Sequence, residues 1–299
     1  MLIPGSFKTK ITGAFGEEGR AWLETLDARV QSVGEDWQLT LGAPVTNLSY
    51  NYVLKAFDSK GTPVILKLGV PGFDFTNEIT TLEVYDGKGC VRLLAADPER
   101  GALLLEQLIP GTMLTEVKDE ALAMNHFIKV WRAIRRPVPE GVSCPTVLDW
   151  AKGLDRYLER YSNGEGPISK AYVQLAKDCF QDVTKTSDGP ELLHGDLHHQ
   201  NILFSDEQGW LAIDPKGVAG DPYFDLISYL INQLHTKSQP KERLEQRVQI
   251  LVKELKLNRD RFLKAAVAMS TLYACWGVED QDSWVNTFEC ARWFESFRH

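Results

Sequence analysis

A chain of 299 residues, 43% hydrophobic and 25% charged, has room for one large or two modest domains with ordinary cores, and its composition excludes fibrous and low-complexity classes. A formal net charge of −8 with no Lys/Arg run argues against nucleic acid as a partner, and an acidic surface favours a cationic or polar small molecule. Residues 15–33 show helical spacing, with Trp22, Leu23, Leu26 and Val30 on one face. Apolar or alternating runs at 37–41, 49–57 and 63–70 predict strands, separated by turns at 42–44 and 59–61. A helix follows from about residue 73 to 85, then strands at 91–95 and 102–106 around a turn at 97–101. Beyond Pro110-Gly111 the pattern turns helical: Phe127, Val130, Trp131 and Ile134 share a face, and 146–161 and 167–184 continue the theme. Short strands are expected at 202–204 and 211–213, and three or four helices close the chain. Strands first and helices second predict an α+β fold of two lobes: 1–106 as a β-rich N-lobe, 107–111 as a hinge and 112–299 as a helical C-lobe.

Five scattered cysteines (Cys90, Cys144, Cys179, Cys275, Cys290) without CxxC spacing suit reduced thiols in a cytoplasmic protein. Residues 1–10 lack the apolar core of a signal peptide. The apolar stretch 262–278 is interrupted by Lys264, Ser270 and Thr271 and reads as a buried helix, not a membrane span.

The chemistry concentrates in Leu193-His194-Gly195-Asp196-Leu197-His198-His199-Gln200-Asn201 and Ala212-Ile213-Asp214-Pro215. Asp196 lies in a tight loop, Asn201 five residues on, and Asp214 at the end of an apolar run. A carboxylate able to take a proton, beside an amide and a second carboxylate that offer oxygens to Mg²⁺, is equipment for phosphoryl transfer. A plain turn at Gly195-Asp196 would account for Asp196 but leaves Asn201 and Asp214 without a reason. Zinc on His194, His198 and His199 lacks a fourth ligand at a supporting spacing.

His-Gly-Asp-Leu-x-x-x-Asn over residues 194–201 resembles the catalytic loop of aminoglycoside phosphotransferases and related small-molecule kinases, the counterpart of the His-Arg-Asp loop of protein kinases. With Ile213-Asp214-Pro215-Lys216-Gly217 and Gly220-Asp221-Pro222, the string is most similar to the streptomycin 6-kinase and hydroxyurea phosphotransferase branch. The resemblance implies a two-lobed protein-kinase-like fold, ATP between the lobes, Mg²⁺ on Asn201 and Asp214, and Asp196 as general base.

Lys67 stands in the apolar run 64–68 and needs a partner, unless it sits at a strand edge for solubility. Glu78 shares a helix face with Leu82 and Tyr85 and is the better placed candidate; Glu83 points elsewhere. The resemblance implies that such a pair steadies Lys67 against the α- and β-phosphates. Neither a Walker A sequence nor a full GxGxxG is present. Phosphates would therefore rest on Ser49, Asn51 and backbone N–H groups, although a polar hairpin would look the same. Residues 105–108 stand where the resemblance puts the adenine-binding backbone, which brings in Glu106 and Leu108. Asp214-Pro215 replaces Asp-Phe-Gly, and proline's fixed φ argues against a flip of that segment. His198 stands where protein kinases carry a lysine; Lys216 either supplies that charge or is a solvated surface residue.

Asp221 and Asp225 read as support. Asp225 is expected in the first turn of an apolar helix, as a cap or, by resemblance, as a brace for the catalytic loop. Trp276, Glu279, Asp280 and Asp282 place carboxylates beside aromatic faces, which suits a cationic ligand. The alternative is a solvated loop with Asp282 capping a helix from residue 283. The expected function is ATP- and Mg²⁺-dependent phosphorylation of a hydroxyl on a streptomycin-like aminoglycoside or hydroxyurea. A metabolite kinase for an amino alcohol or sugar would use the same residues. An inactive kinase-like binding protein is disfavoured by the complete set Lys67, Asp196, Asn201 and Asp214.

Overall fold

In the computed structural model, which describes residues 3–281 and 283–298, the chain opens on a long helix, α1 (Gly5–Asp36). It starts before residue 15 because tertiary contact stabilises its first turns. Phe7 packs on Trp22 and Tyr52 with ring centroids 6.2 and 5.8 Å away. The backbone leaves the helical region at Gly16 (φ 54°, ψ −127°), and the bend brings Phe7 and Ile11 into one core with Trp22, Leu26 and Val30. Because α1 runs to Asp36 and Trp37 caps it, the first strand begins at Thr40 and not at residue 37.

β1 (Thr40–Pro44), β2 (Tyr52–Phe57), β3 (Pro63–Leu68), β4 (Leu93–Asp97) and β5 (Ala102–Glu106) form an antiparallel sheet of order β1-β2-β3-β5-β4. Between β3 and β4 runs α2 (Phe73–Tyr85), with the bounds expected from its pattern. Side chains alternate across a strand, so Tyr52, Leu54, Leu66 and Leu68 join the core under α1 while Lys67, one step out of phase, faces the other side. β5 lies between two strands, and Ala102 to Leu105 are all buried. β6 (Pro110–Met113) takes in Pro110 and Gly111, the end of the expected hinge. It forms a sheet of order β6-β8-β9 with β8 (Ile202–Ser205) and β9 (Gly209–Ala212).

The chain divides into two compact units, residues 1–112 with 203–213, and residues 113–202 with 214–299. In the first, the hairpin residues are tied by backbone bonds: Val91 N–H donates to the Ala212 carbonyl at 2.8 Å, and Ala212 N–H to that of Gly89 at 2.9 Å.

The second unit contains α3 (Glu120–Ile134), α4 (Val147–Arg160), α5 (Lys170–Lys185), α6 (Ile227–Ile231), α7 (Pro240–Leu255), α8 (Arg259–Glu279) and α9 (Val285–Ser296). It also holds an antiparallel pair, β7 (Glu191–Leu193) with β10 (Val218–Gly220). α8 packs against α4, α5 and α9, so it is apolar on nearly every side, as a central helix must be. No helix among the described residues is long and apolar enough to cross a membrane. Local signals set several helix starts. Thr146 and Asp149 form a capping box on α4, and Asp119, Ser169 and Asn258 cap α3, α5 and α8.

At the turn before β5, Gly101 has φ +65°, its carbonyl accepts the Gly69 N–H at 2.9 Å, and a Cβ there would collide with the Gly69 carbonyl oxygen. Gly101→Ala is expected to cost on the order of 1–3 kcal/mol. Chemical denaturation checks this; an unchanged midpoint would show that the turn relaxes freely.

Candidate active site

β7 delivers the chain into the loop 194–201, and pairing with β10 lays residues 214–217 beside it: Lys216 N–H donates to the His194 carbonyl at 2.7 Å. Gly195 has φ +83°, and a Cβ there would stand 2.7 Å from the Trp150 ring and 3.2 Å from Lys216 Cβ. Glycine therefore satisfies both the backbone and the packing.

Asp225 holds this loop from below. Its carboxylate accepts N–H bonds from Gly195 at 2.7 Å and His194 at 3.2 Å. It lies in the first turn of a 3₁₀ helix (Pro222–Leu226) that runs directly into α6, where it braces the loop and does not cap the helix. The capping role belongs to Asp221, which accepts from Tyr223 N–H at 3.0 Å and pairs with Arg261. Burial raises the Asp225 carboxyl to about 7, against the pull of the Gly195 and His194 N–H groups.

The half-buried Asp196 carboxyl is also raised, first by desolvation and then by Asp214, with His198 and Lys216 opposing. His198 Nδ1 accepts the Gln200 N–H at 3.2 Å, and Nε2 lies 3.6 Å from Asp196 Oδ1. His194 is buried, and its Nδ1 accepts the Asp196 N–H at 3.2 Å. Asn201 Nδ2 donates to the Asp196 carbonyl at 2.9 Å. Only the amide nitrogen can make that bond, so the planar group turns its oxygen the other way. Asp214 has φ +62°, a conformation uncommon outside glycine that concentrates at functional sites. Its Oδ2 lies 3.2 Å from Lys216 Nζ.

The side-chain oxygens of Asn201 and Asp214 are hard donors that fit Mg²⁺. Among the described residues no group of three or more His, Cys, Asp or Glu side chains stands ready to hold a metal. Two protein oxygens suit an ion that completes its octahedron with phosphate and water.

In the other unit, Lys67 Nζ donates to Glu78 Oε1 at 2.5 Å, and both residues are buried. Glu83 is exposed. Removing either partner of such a pair strands a buried charge, at a cost of about 3–5 kcal/mol. Ser49 is exposed in the β1–β2 loop, whereas Asn51 is partly buried with its Oδ1 packed against Gly69 too closely for a Cβ there. The Glu106 carboxylate accepts the Arg92 N–H at 2.8 Å and Gln208 Nε2 at 2.9 Å, so its side chain is committed locally. Leu108 is buried, and its N–H has no acceptor among the described residues.

Of the expected acceptor residues, Trp276 is half-buried, Glu279 pairs with Arg156 at 3.4 Å and Asp280 is exposed beyond α8. Asp282 lies outside the described residues. The last helix starts at Val285 with Trp284 before it, and not at residue 283. Trp150 has no signal in the sequence: it sits against Gly195 and meets Trp276 edge-on at 5.8 Å, a contact across 126 positions (276 − 150) that no local pattern encodes.

The model of the aminoglycoside/hydroxyurea antibiotic resistance kinase family matches residues 37–281. Streptomycin 6-kinase of Streptomyces glaucescens is 31% identical over 93% of this chain and 91% of that protein. Hydroxyurea phosphotransferase of Kitasatospora aureofaciens is 32% identical over 89% of this chain and 77% of that protein. Among solved structures, a thermostable mutant of an aminoglycoside phosphotransferase, in ternary complex with AMP-PNP and hygromycin B, superposes with a TM-score of 0.64. The match covers 90% of this chain and 97% of that one at 12% identity, a likeness of fold.

Asp225 makes the loop's stability depend on pH. The folded chain keeps this carboxyl protonated up to about pH 7, whereas the unfolded chain releases the proton near the ordinary value of 3.8. The stability it contributes is complete below that value and is lost as pH rises through about 7. The melting-temperature gap between wild type and Asp225→Asn should therefore narrow as pH rises from about 4 to about 8. Parallel melting profiles would contradict the assignment.

Proposed function

The chain belongs to the aminoglycoside/hydroxyurea antibiotic resistance kinase family, and on that premise we propose that it transfers the γ-phosphoryl group of ATP, with Mg²⁺, to a hydroxyl of a streptomycin-like aminoglycoside or hydroxyurea. The observation that carries this reading is the loop cluster of the second unit. There a carboxylate raised in pKa (Asp196) lies beside two oxygen donors (Asn201, Asp214), on a loop held by Asp225.

Residues 1–106 take the nucleotide, 107–111 act as the hinge, and 112–299 carry the acceptor site and catalytic loop. Lys67, held by Glu78, engages the phosphates; Ser49 and Asn51 flank them; the Glu106 and Leu108 backbone receives the adenine edge, which the free Leu108 N–H suits. Asn201 and Asp214 hold Mg²⁺, which supplies charge neutralisation on the phosphates when bound. Asp196 accepts the hydrogen bond of the acceptor hydroxyl, orients it and takes its proton as the new O–P bond forms and the bond from the γ-phosphorus to the bridging oxygen breaks, releasing ADP. The elevated pKa of Asp196 makes it a better proton acceptor than an ordinary carboxylate. His198 steadies that carboxylate through Nε2, and Lys216 tempers the negative charge at Asp214. The five cysteines, all free, fit a cytoplasmic enzyme.

Asp196→Ala is expected to keep nucleotide binding and lose about 10²–10⁴ in turnover, the usual worth of a positioned base. Asn201→Ala and Asp214→Ala should instead raise the Mg²⁺ concentration needed for half-maximal rate. ATP consumption measured against streptomycin, hydroxyurea, amino alcohols and sugars checks the acceptor. Near-wild-type turnover by the Asp196 variant defeats the mechanism, and consumption confined to an amino alcohol or sugar defeats the antibiotic assignment.

A further inference from the structure

The short turn that presents Asn201, residues 199–201, is gripped at two consecutive positions by the end of α6. His199 is buried, and its ring stacks on that of Tyr229 with centroids 4.1 Å apart and planes 12° from parallel. Tyr229 stacks in turn on Phe127 of α3, at 3.9 Å and 19°. Gln200 leaves the turn on its exposed side, and its Oε1 accepts from Asn232 Nδ2 at 3.2 Å. Tyr229 and Asn232 stand three residues apart, so one edge of α6 and its cap supplies both grips. The side chain of Asn201 is itself tied by its Nδ2 to the Asp196 carbonyl at 2.9 Å, so the backbone of 199 and 200 sets where its oxygen stands.

Arg247 of α7 fixes that end of α6. Its Nη1 donates to the carbonyls of Leu230 at 2.7 Å, Asn232 at 3.1 Å and Tyr229 at 3.4 Å, which a helix ending there leaves without an internal partner. Its Nε donates to Glu120 Oε1 at 2.6 Å, so the guanidinium cannot leave its place without stranding a buried charge. With only five residues, α6 is too short to hold its form by its own hydrogen bonds. Support therefore runs from Arg247 to the end of α6, and from there through a ring stack and a hydrogen bond to the two residues ahead of Asn201.

We propose that His199 and Asn232 are positioning residues for the side-chain oxygen of Asn201, with Arg247 as the fastener that keeps them in place. Two grips at adjacent residues fix both the place and the twist of the turn, whereas one alone leaves it free to rotate. Mg²⁺ demands near-octahedral geometry, so a ligand on a loose turn holds it weakly. This rests on the phosphotransfer reading only in taking Asn201 as a metal ligand.

The test reads metal binding apart from turnover. Mn²⁺, which takes the same oxygen ligands as Mg²⁺, is titrated into the protein with AMP-PNP and followed by electron paramagnetic resonance. His199→Ala should raise its Kd by about 10- to 100-fold, the usual effect of losing a residue that orients a ligand, while His199→Phe, which keeps a ring on Tyr229, should recover most of the affinity. Asn232→Ala and Gln200→Ala should each raise it by about 2- to 10-fold, and the double variant by no more than either alone, since both remove the same hydrogen bond. Gln200 is exposed, so its variant keeps the test decisive even if His199→Ala does not fold. Metal-free AMP-PNP should bind every variant as it binds wild type, a split that a general loss of stability would not produce. These shifts support the positioning role even in a protein that phosphorylates no acceptor, a result that would count against the function alone. Unchanged Mn²⁺ affinity in Asn232→Ala or Gln200→Ala, additive losses in the double variant, a His199→Phe protein as weak as His199→Ala, or no Mn²⁺ binding by wild type would each overturn the proposal.

Discussion

The loop that carries Asp196 depends on one buried carboxylate. Asp225 sits beneath it and accepts two consecutive backbone N–H groups, those of His194 and Gly195. Burying a carboxyl is costly unless hydrogen bonds replace the lost water, and these two bonds do so while fixing the direction of the chain just ahead of Asp196. The fixed direction puts Gly195 at φ +83°, and the missing side chain there admits the Trp150 ring. Trp150 in turn meets Trp276 of α8. One interaction thus orients both the candidate base and the wall beside it.

Each unit handles buried charge by pairing it. In the first, Lys67 and Glu78 sit on the side of the sheet that α1 leaves uncovered, and each makes the other tolerable. In the second, buried Arg247 bonds Glu120 at 2.6 Å and also donates to the carbonyls of Tyr229, Leu230 and Asn232, tying α7 to α3 and the segment around α6. Arginine suits this because its planar fork presents several donors at once. Polar struts of this kind specify one arrangement of helices, since a slipped helix would strand the guanidinium.

Elements whose own pattern agrees with their surroundings were legible in advance. α2 and β5 have the expected bounds, and the Lys67–Glu78 pair follows from a lysine that cannot lie alone in an apolar strand. The first turns of α1 were not legible, because Phe7 and Ile11 are fastened by Trp22 and Tyr52 and not by helical periodicity. β6 is a four-residue strand containing Pro110 and Gly111, residues that locally signal a break; pairing with β8 makes it a strand. For Asp225 the pattern offers a cap and the resemblance a brace for the catalytic loop. The cap is Asp221, and the carboxylate of Asp225 turns to a loop thirty residues back.

From the order of residues alone came the chemical kit. A base, an amide oxygen and a carboxylate within 194–214 are close in the chain, and their spacing, together with the resemblance it carries, points to phosphoryl transfer without any coordinates. Tertiary structure alone decided that Asp214 adopts a left-handed backbone, that residues 203–213 join the first unit, and that Trp150, backed by Trp276, sits against the loop. The reason is range. Periodicity reports which side chains share a face within a few turns or pleats, whereas contacts between residues far apart in the chain depend on how whole elements pack.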